Sequence, residues 1–259
     1  FRNVSFSCDQ RPIIKNVSLK VNDSESLVIM GPSGSGKSTI LRLILGLECP
    51  QQGDIFIEGQ NICYLKEKQK RVIRKKIGML FQDGALFDSL SVWENVGYYL
   101  LEHTDMPIDT IGQKAIEMLG FVGLDAEEIV NKLPEHLSGG MQRRVAIARS
   151  LLSTEPKIML YDEPTTGLDP QATANVLDLI MKLNEEKSIS TIVVTHQIVD
   201  AITIADRFIV FIEGEIEFEG TLDELNNSRN INVLEFLAPF RASFAEVAKR
   251  KFVETKFLK

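Results

Sequence analysis

"GPSGSGKST", running from Gly31 to Thr39, is the stretch on which the fold turns. An apolar segment, "SLVIM" (Ser26–Met30), leads into it, and a helix-forming run, "KSTILRLILGL", leads out. A strand, a glycine-rich loop fitting G-x-x-x-x-G-K-[ST] and a helix, in that order, make a phosphate cradle. Gly34 and Gly36 let the backbone approach anionic oxygens with no Cβ in the way. The loop N–H groups then face the anion, helped by the positive end of the helix dipole. Gly31, Pro32, Ser33, Gly34, Ser35, Gly36, Lys37, Ser38 and Thr39 are therefore the expected nucleotide contacts. Lys37 is expected to reach the β- and γ-phosphates, and the Ser38 hydroxyl to sit on Mg²⁺, a hard ion that takes oxygen ligands.

Downstream, "KIMLYDEP" supplies a second part. Four apolar residues, Ile158 to Tyr161, read as a buried strand that delivers Asp162 and Glu163 at its C-terminal edge, where ligands bind in open α/β sheets. Asp162 is expected in the Mg²⁺ shell and Glu163 as the general base that polarises an attacking water.

Composition narrows the class. A chain of 259 residues, 44% hydrophobic and 25% charged, can bury one large core. No apolar run approaches the roughly 20 residues that span a bilayer, and "FRNVSFSCDQ" has neither the basic nor the apolar region of a signal peptide. Cys8, Cys49 and Cys63, without CxxC spacing, fit a reducing cytosol and no metal site. A formal charge of −7 argues against nucleic acid as a partner. "KEKQKRVIRKK" (Lys66–Lys76) reads as a solvated helix face before a strand.

Short β-branched segments open the chain: "NVSF", "NVSLKV", "SLVIM", then "GDIFIEG" and "KIGMLF". From Ser91 to Leu152 the periodicity turns helical, through "IDTIGQKAIEMLGFV", "AEEIVNKL" and "GGMQRRVAIARSLL". Strands and helices then alternate: "KIMLY", a helix near Gln171–Glu185, "TIVVT", "QIVDAITIA", "RFIVFI". That alternation predicts a parallel α/β sheet interrupted by a mostly helical insertion.

"LSGGMQRRVAIAR" (Leu137–Arg149) resembles the signature of the ABC-transporter ATPases. With "GPSGSGKST", Gln82, "YDEP", "GLDP" and His196 it completes that family's motif order over roughly residues 1–225. The resemblance implies an α/β fold, a P-loop NTPase (RecA-like) parallel-sheet core with an antiparallel β subdomain and a helical signature subdomain at about 91–152. The cassette would span 1–239. It implies ATP and Mg²⁺ as cofactors, with Gln82 touching the Mg²⁺ and γ-phosphate and His196 contacting the γ-phosphate.

A phosphate loop leaves the γ-phosphate exposed on one side. Ser138, Gly139 and Gly140 begin a helix whose N-terminal amides offer a second anion site. Two chains placed head to tail would set each signature over the other's ATP, with Asp169 at that interface. Two positions depart from the family pattern: Cys8 stands where an aromatic usually stacks on adenine, which implies either weaker base recognition or a base held by Arg11 or another chain, and Met141 replaces the usual glutamine.

"LSGGM" and "LFQDGALFDSLSVWENVGYYLLEHTDMP" together look like the MCE-associated phospholipid-transport ATPases, the MlaF-like group. Phe81, Gln82, Ala85, Leu86, Phe87, Val92, Asn95 and Val96 match that group's FQ-x-x-ALF-x-x-x-x-V-x-x-NV pattern. The likeness implies a homodimeric ATPase on the cytoplasmic face of the inner membrane. Its partners would be an integral membrane permease, an MCE-domain lipid-binding protein and a small regulatory subunit. Another small-substrate importer, a non-transport ABC ATPase and a catalytically silent scaffold are the rival readings. The last is disfavoured by intact Lys37, Asp162, Glu163 and His196.

In that family the segment after the Q-loop glutamine receives a helix of the permease. Leu86, Phe87, Trp93 and Tyr98 are thus candidates for an exposed apolar patch rather than core. Beyond the cassette, residues 240–259 carry six basic and two acidic side chains, a net +4 against −11 for the rest. Phe240, Phe244, Val247 and Ala248 share one helical face there, which suggests either packing on the chain's own domain or contact with a partner.

Overall fold

A computed structural model describes residues 1–240. In chain order the first elements are β1 (Arg2–Cys8), β2 (Arg11–Val17), β3 (Ser26–Met30), α1 (Lys37–Ile44), β4 (Gln52–Asp54), β5 (Phe56–Ile57), β6 (Gln60–Asn61) and α2 (Glu67–Arg74). They are followed by β7 (Ile77–Leu80), α3 (Val92–His103), α4 (Ile108–Phe121), α5 (Ala126–Ile129), α6 (Gly139–Thr154), β8 (Ile158–Asp162) and α7 (Pro170–Lys187). The last are β9 (Ser190–Thr195), α8 (Ile198–Ile204), β10 (Arg207–Ile212), β11 (Glu215–Gly220), α9 (Leu222–Asn226) and α10 (Ile231–Leu237). Two compact units result: Phe1–Arg71 with the chain from Ser190 onward, and Val72–Ile189.

In the first unit β3 lies between β9 and β10, parallel to both, and β11 closes that edge antiparallel to β10. Leu27, Val28, Ile29 and Met30 of β3 are wholly buried, as are Val193, Val194, Phe208, Ile209 and Val210 on its neighbours. A strand covered on both faces needs such a continuous apolar run. Each of these side chains contributes about 1.5–3 kcal/mol on full burial. A separate antiparallel sheet, β2-β1-β4, carries the start of the chain. Its β1–β2 turn runs through Asp9 and Gln10, both left-handed, as a tight two-residue hairpin requires.

Helix α1 starts at Gly36, whose φ of 106° no side-chain-bearing residue adopts comfortably. It stops at Gly46. The Gly46 N–H donates to the Leu43 carbonyl and the Leu47 N–H to that of Arg42, which closes the helix by the paired bonds of a left-handed C-terminal turn. Between these ends Ile40, Leu41, Leu43 and Ile44 are buried.

In the second unit β7 and β8 pair in parallel, with Gly78 opposite Met159 and Leu80 opposite Tyr161. Helices α3, α4 and α6 pack on one another, and Val92, Val96, Ile111, Ala115, Leu119, Val145 and Ile147 fill the space between them. A capping box starts α3: the Ser91 N–H donates to the Glu94 carboxylate.

The structure departs from sequence expectation locally. Only the first two residues of "NVSLKV" are strand: β2 begins earlier, at Arg11, and ends at Val17, with a left-handed bulge at Asn16 (φ 52°) between the Ile14–Phe6 and Val17–Val4 pairs. "GDIFIEG" breaks into β4 and β5, and "AEEIVNKL" yields only the four-residue α5. The basic run from Lys66 does form an exposed helix, α2, ahead of a strand. Strand β11 and helices α9 and α10 had no counterpart in the sequence reading. The amphipathic face beyond Phe240 lies outside the described residues. Among the described residues no helix is long and apolar enough to cross a membrane.

Candidate functional site

The first unit places the glycine-rich loop and His196 at one end of adjacent strands. Met30, the last residue of β3, sits opposite Thr195, the last of β9. The loop leaves the first and His196 leaves the second. Close approach is built into the loop. A Cβ on Gly31 would lie 2.0 Å from the Phe211 carbonyl oxygen, whereas one on Gly34 would meet nothing within 4 Å. Gly31 is therefore held against the sheet while Gly34 faces open space at φ 79°. Lys37, only 6% exposed, turns its ammonium inward to donate to the Gly31 and Pro32 carbonyls, both at 2.9 Å.

The Ser35 hydroxyl is buried with no hydrogen-bond partner among the described residues. A buried hydroxyl without a partner is costly. A loop with such a hydroxyl, an inward lysine and open space at Gly34 fits a polyphosphate. Pro32, Ser33 and Gly34 are exposed, and Ser38 and Thr39 are half-buried at the start of α1. The hydroxyl of Ser38 and the carboxylate of Asp162 are hard oxygen donors of the type Mg²⁺ prefers. Cys8 and Arg11 face each other across the β1–β2 turn, both exposed. Farther along β2, Ile13 abuts Gly36: its carbonyl oxygen lies 3.0 Å from the Cβ that residue lacks.

The second unit repeats the logic. Strands β7 and β8 run in parallel, so Gln82 and the pair Asp162–Glu163 emerge from the same edge of neighbouring strands. Glu163 is 9% exposed and left-handed, with φ 48°. A non-glycine residue in that region costs of order 1–3 kcal/mol, and such strain gathers at functional sites. The Thr166 hydroxyl donates to Glu163 Oε2 at 3.1 Å, which fixes the carboxylate. Thr166 escaped the sequence reading, although it lies only three residues beyond Glu163.

Signature and "GLDP" also meet within this unit. Ser138 is the N-cap of α6, accepting from the Met141 N–H at 3.4 Å. A Cβ on Gly139 would lie 3.1 Å from Leu168 Cδ2, and one on Gly140 only 2.7 Å from the Ala172 Cβ. Those glycines let α6 begin directly against the start of α7. Asp169 is exposed and caps α7, its Oδ1 accepting from the Ala172 N–H at 2.9 Å.

Of the four apolar candidates after Gln82, none is fully buried. Phe87 is 41% exposed, and Leu86, Trp93 and Tyr98 are half-buried. Phe81, 42% exposed, joins the exposed set unforeseen. Phe87 packs against Tyr98, ring centroids 4.4 Å apart and planes tilted by 40°. Asn95 is wholly buried beneath it: its amide donates to the carbonyls of Phe87, Leu90 and Ser91 and accepts from the Phe87 N–H.

Residues 14–166 match the family model described as ABC transporter. The chain belongs to the ABC transporter family. It is an ATP-binding cassette with the P-loop NTPase fold, and an ATPase by family. It is 39% identical over 236 residues to the intermembrane phospholipid transport system ATP-binding protein MlaF of Haemophilus influenzae, covering 91% of this chain and 88% of that one. It is also 40% identical over 241 residues to the methionine import ATP-binding protein MetN of Campylobacter jejuni, covering 87% and 71%. Among solved structures, the dimeric post-hydrolysis state of the ATP-binding cassette MJ0796, bound to ADP and Pi, superposes with a TM-score of 0.77 at 37% identity. That match covers 85% of this chain and 97% of that one.

One cassette residue has a stability role that is separable from chemistry. Tyr161 precedes Asp162 in β8, is wholly buried, and its hydroxyl has no hydrogen-bond partner among the described residues. Burial pushes its pKa far up, so the phenol stays neutral. Tyr161→Phe should therefore stabilise the chain by about 1 kcal/mol, removing an unsatisfied group without a cavity. Urea unfolding, read as a rise in midpoint at constant slope, checks this.

Proposed function

We propose that this ATPase works as a head-to-tail homodimer on the cytoplasmic face of the inner membrane and powers phospholipid transport through a separate permease. The observation that carries the reading is the identity with MlaF over nine-tenths of both chains. An MCE-domain protein and a small regulatory subunit complete the proposed assembly.

In this reading Lys37 and the loop amides hold the triphosphate. Ser38, Asp162 and Gln82 would hold Mg²⁺, which would offset the charge of the phosphates. Glu163 takes the proton of a water attacking the γ-phosphorus while the bond from that phosphorus to the bridging oxygen breaks, so that ADP leaves and phosphate forms. Its bond from Thr166 keeps the carboxylate aimed. His196 touches the γ-phosphate. Ser138, Gly139 and Gly140 cover the partner protomer's nucleotide, with Asp169 alongside, so that binding joins the protomers and hydrolysis parts them. Domain limits of 1–239 for the cassette and 240–259 for a basic extension belong to the same proposal.

Because MetN is matched as closely in identity, methionine import is the competing reading. Reconstituting the ATPase with its own permease in phospholipid vesicles separates the two. ATP-dependent transfer of labelled phospholipid, without methionine uptake, is the expected result; the reverse pattern would replace the lipid reading.

A further inference from the structure

The segment after Gln82 leaves its strand by an unusual route. The Gly84 N–H closes a turn on the Phe81 carbonyl at 2.9 Å, so Gln82 sits at the turn's bend. Gly84 and Ala85 follow with φ of 73° and 49°, two left-handed residues in succession. For Gly84 this is free; for Ala85, which carries a Cβ, it is not. Something must hold it.

Arg149, near the end of α6, is placed to do so. Its Nη1 donates to the Ala85 carbonyl at 2.8 Å and its Nη2 to the Gly84 carbonyl at 3.0 Å. Both left-handed residues thus present their oxygens to one guanidinium. The same group lies 5.7 Å from the centroid of Phe87, within cation–π range. A turn earlier on α6, Ala146 Cβ and Arg143 Nη1 stand 3.6 and 3.7 Å from where a Cβ of Gly84 would be. The turn is seated on one face of α6, whose other end carries Ser138, Gly139 and Gly140.

We infer that Arg149 is a positioning residue: its planar fork fixes the left-handed exit of the Gln82 turn and fastens that turn to the signature helix. A displacement at the start of α6 then reaches Gln82 of the same protomer through one rigid piece, without passing through the nucleotide. Lysine cannot substitute, because an ammonium on a flexible stem does not span two carbonyls at fixed geometry. That the linkage matters for turnover rests on the proposed role of Gln82 at the nucleotide; the clamp itself does not.

Amide exchange and steady-state kinetics on the full-length chain test both levels. Arg149→Ala should speed exchange of Gly84–Phe87 by about tenfold or more. It should lower kcat by about tenfold, with KM for ATP within about twofold, the signature of a misplaced group rather than a lost binding contact. Arg149→Lys should resemble it. Adding Ala85→Gly to Arg149→Ala should recover most of the exchange protection and kcat, since glycine adopts the left-handed turn unaided. A general weakening of α6 would not be repaired that way. If Arg149→Ala does not fold, Ala85→Val strains the same turn with Arg149 in place and should show the same two effects. Unchanged exchange in whichever of these variants folds overturns the clamp, as does failure of Ala85→Gly to restore it. A wild-type kcat in Gln82→Ala would instead remove Gln82 from the mechanism, leaving the exchange result to decide the clamp.

Discussion

Glu163→Gln should lower ATP hydrolysis by about 10²–10⁴-fold while leaving nucleotide binding intact. Glutamine preserves the shape and the hydrogen bond from Thr166 but cannot take a proton from water. With hydrolysis blocked, the ATP-joined dimer should accumulate, visible as a shift to twice the monomer mass by light scattering on adding ATP and Mg²⁺. The left-handed backbone at Glu163 is common to both side chains, so folding should not differ. Lys37→Ala gives the contrasting result: its ammonium is buried inside the loop, and its loss should raise the Kd for ATP itself. Turnover in Glu163→Gln within a few-fold of wild type would exclude Glu163 as the base.

Phe87→Asp is expected to cost more than about 2 kcal/mol of binding to the permease, a loss typical of an aromatic anchor. The ring is held from several sides before any partner arrives: Tyr98 packed beside it at a tilt, Arg149 nearby and Asn95 gripping its backbone. An anchor already set in place gives up little entropy on docking. Since 41% of Phe87 is exposed, an aspartate there should not disturb the core. The purified variant should fold and bind ATP normally, yet fail to assemble with the permease in a pull-down. Normal assembly would move the docking surface elsewhere; misfolding would return the ring to the chain's own core.

Much of this was legible because local chemistry and global fold agree. Leu27 to Met30, before "GPSGSGKST", are apolar without a break because β3 is covered on both faces, and the helix after it needs Gly36 at a conformation few other residues adopt. The positions of Asp162 and Glu163 at a strand's end followed from four apolar residues and a charge. Less visible were features created by packing between distant segments. Nothing in "FQDGAL" announces that Ala85 is left-handed, because the reason lies in Arg149, 64 residues away. The same holds for Asn95, a match in a sequence pattern whose buried amide in fact ties down the five residues from Phe87 to Ser91. Strand β2 was misplaced toward its C-terminal side because "NVSLKV" alternates like a strand, while the pairing with β1 passes a left-handed bulge at Asn16 and ends at Val17.

The N-caps of α6 and α7 limit how this surface can change over time. Ser138 and Asp169 each accept a backbone N–H from their own helix, and in the proposed dimer each would also face the second protomer. A substitution at either position is penalised twice, once in recognition and once in a helix cap worth about 1 kcal/mol. Only residues able to cap remain admissible, which leaves Ser, Thr, Asp and Asn as the alphabet from which drift can draw. Gly140 is narrower still, since the Ala172 methyl occupies the space any larger side chain would need. The two helix starts should therefore vary together or not at all, and a tolerated change at Gly140 would be expected only alongside glycine at position 172.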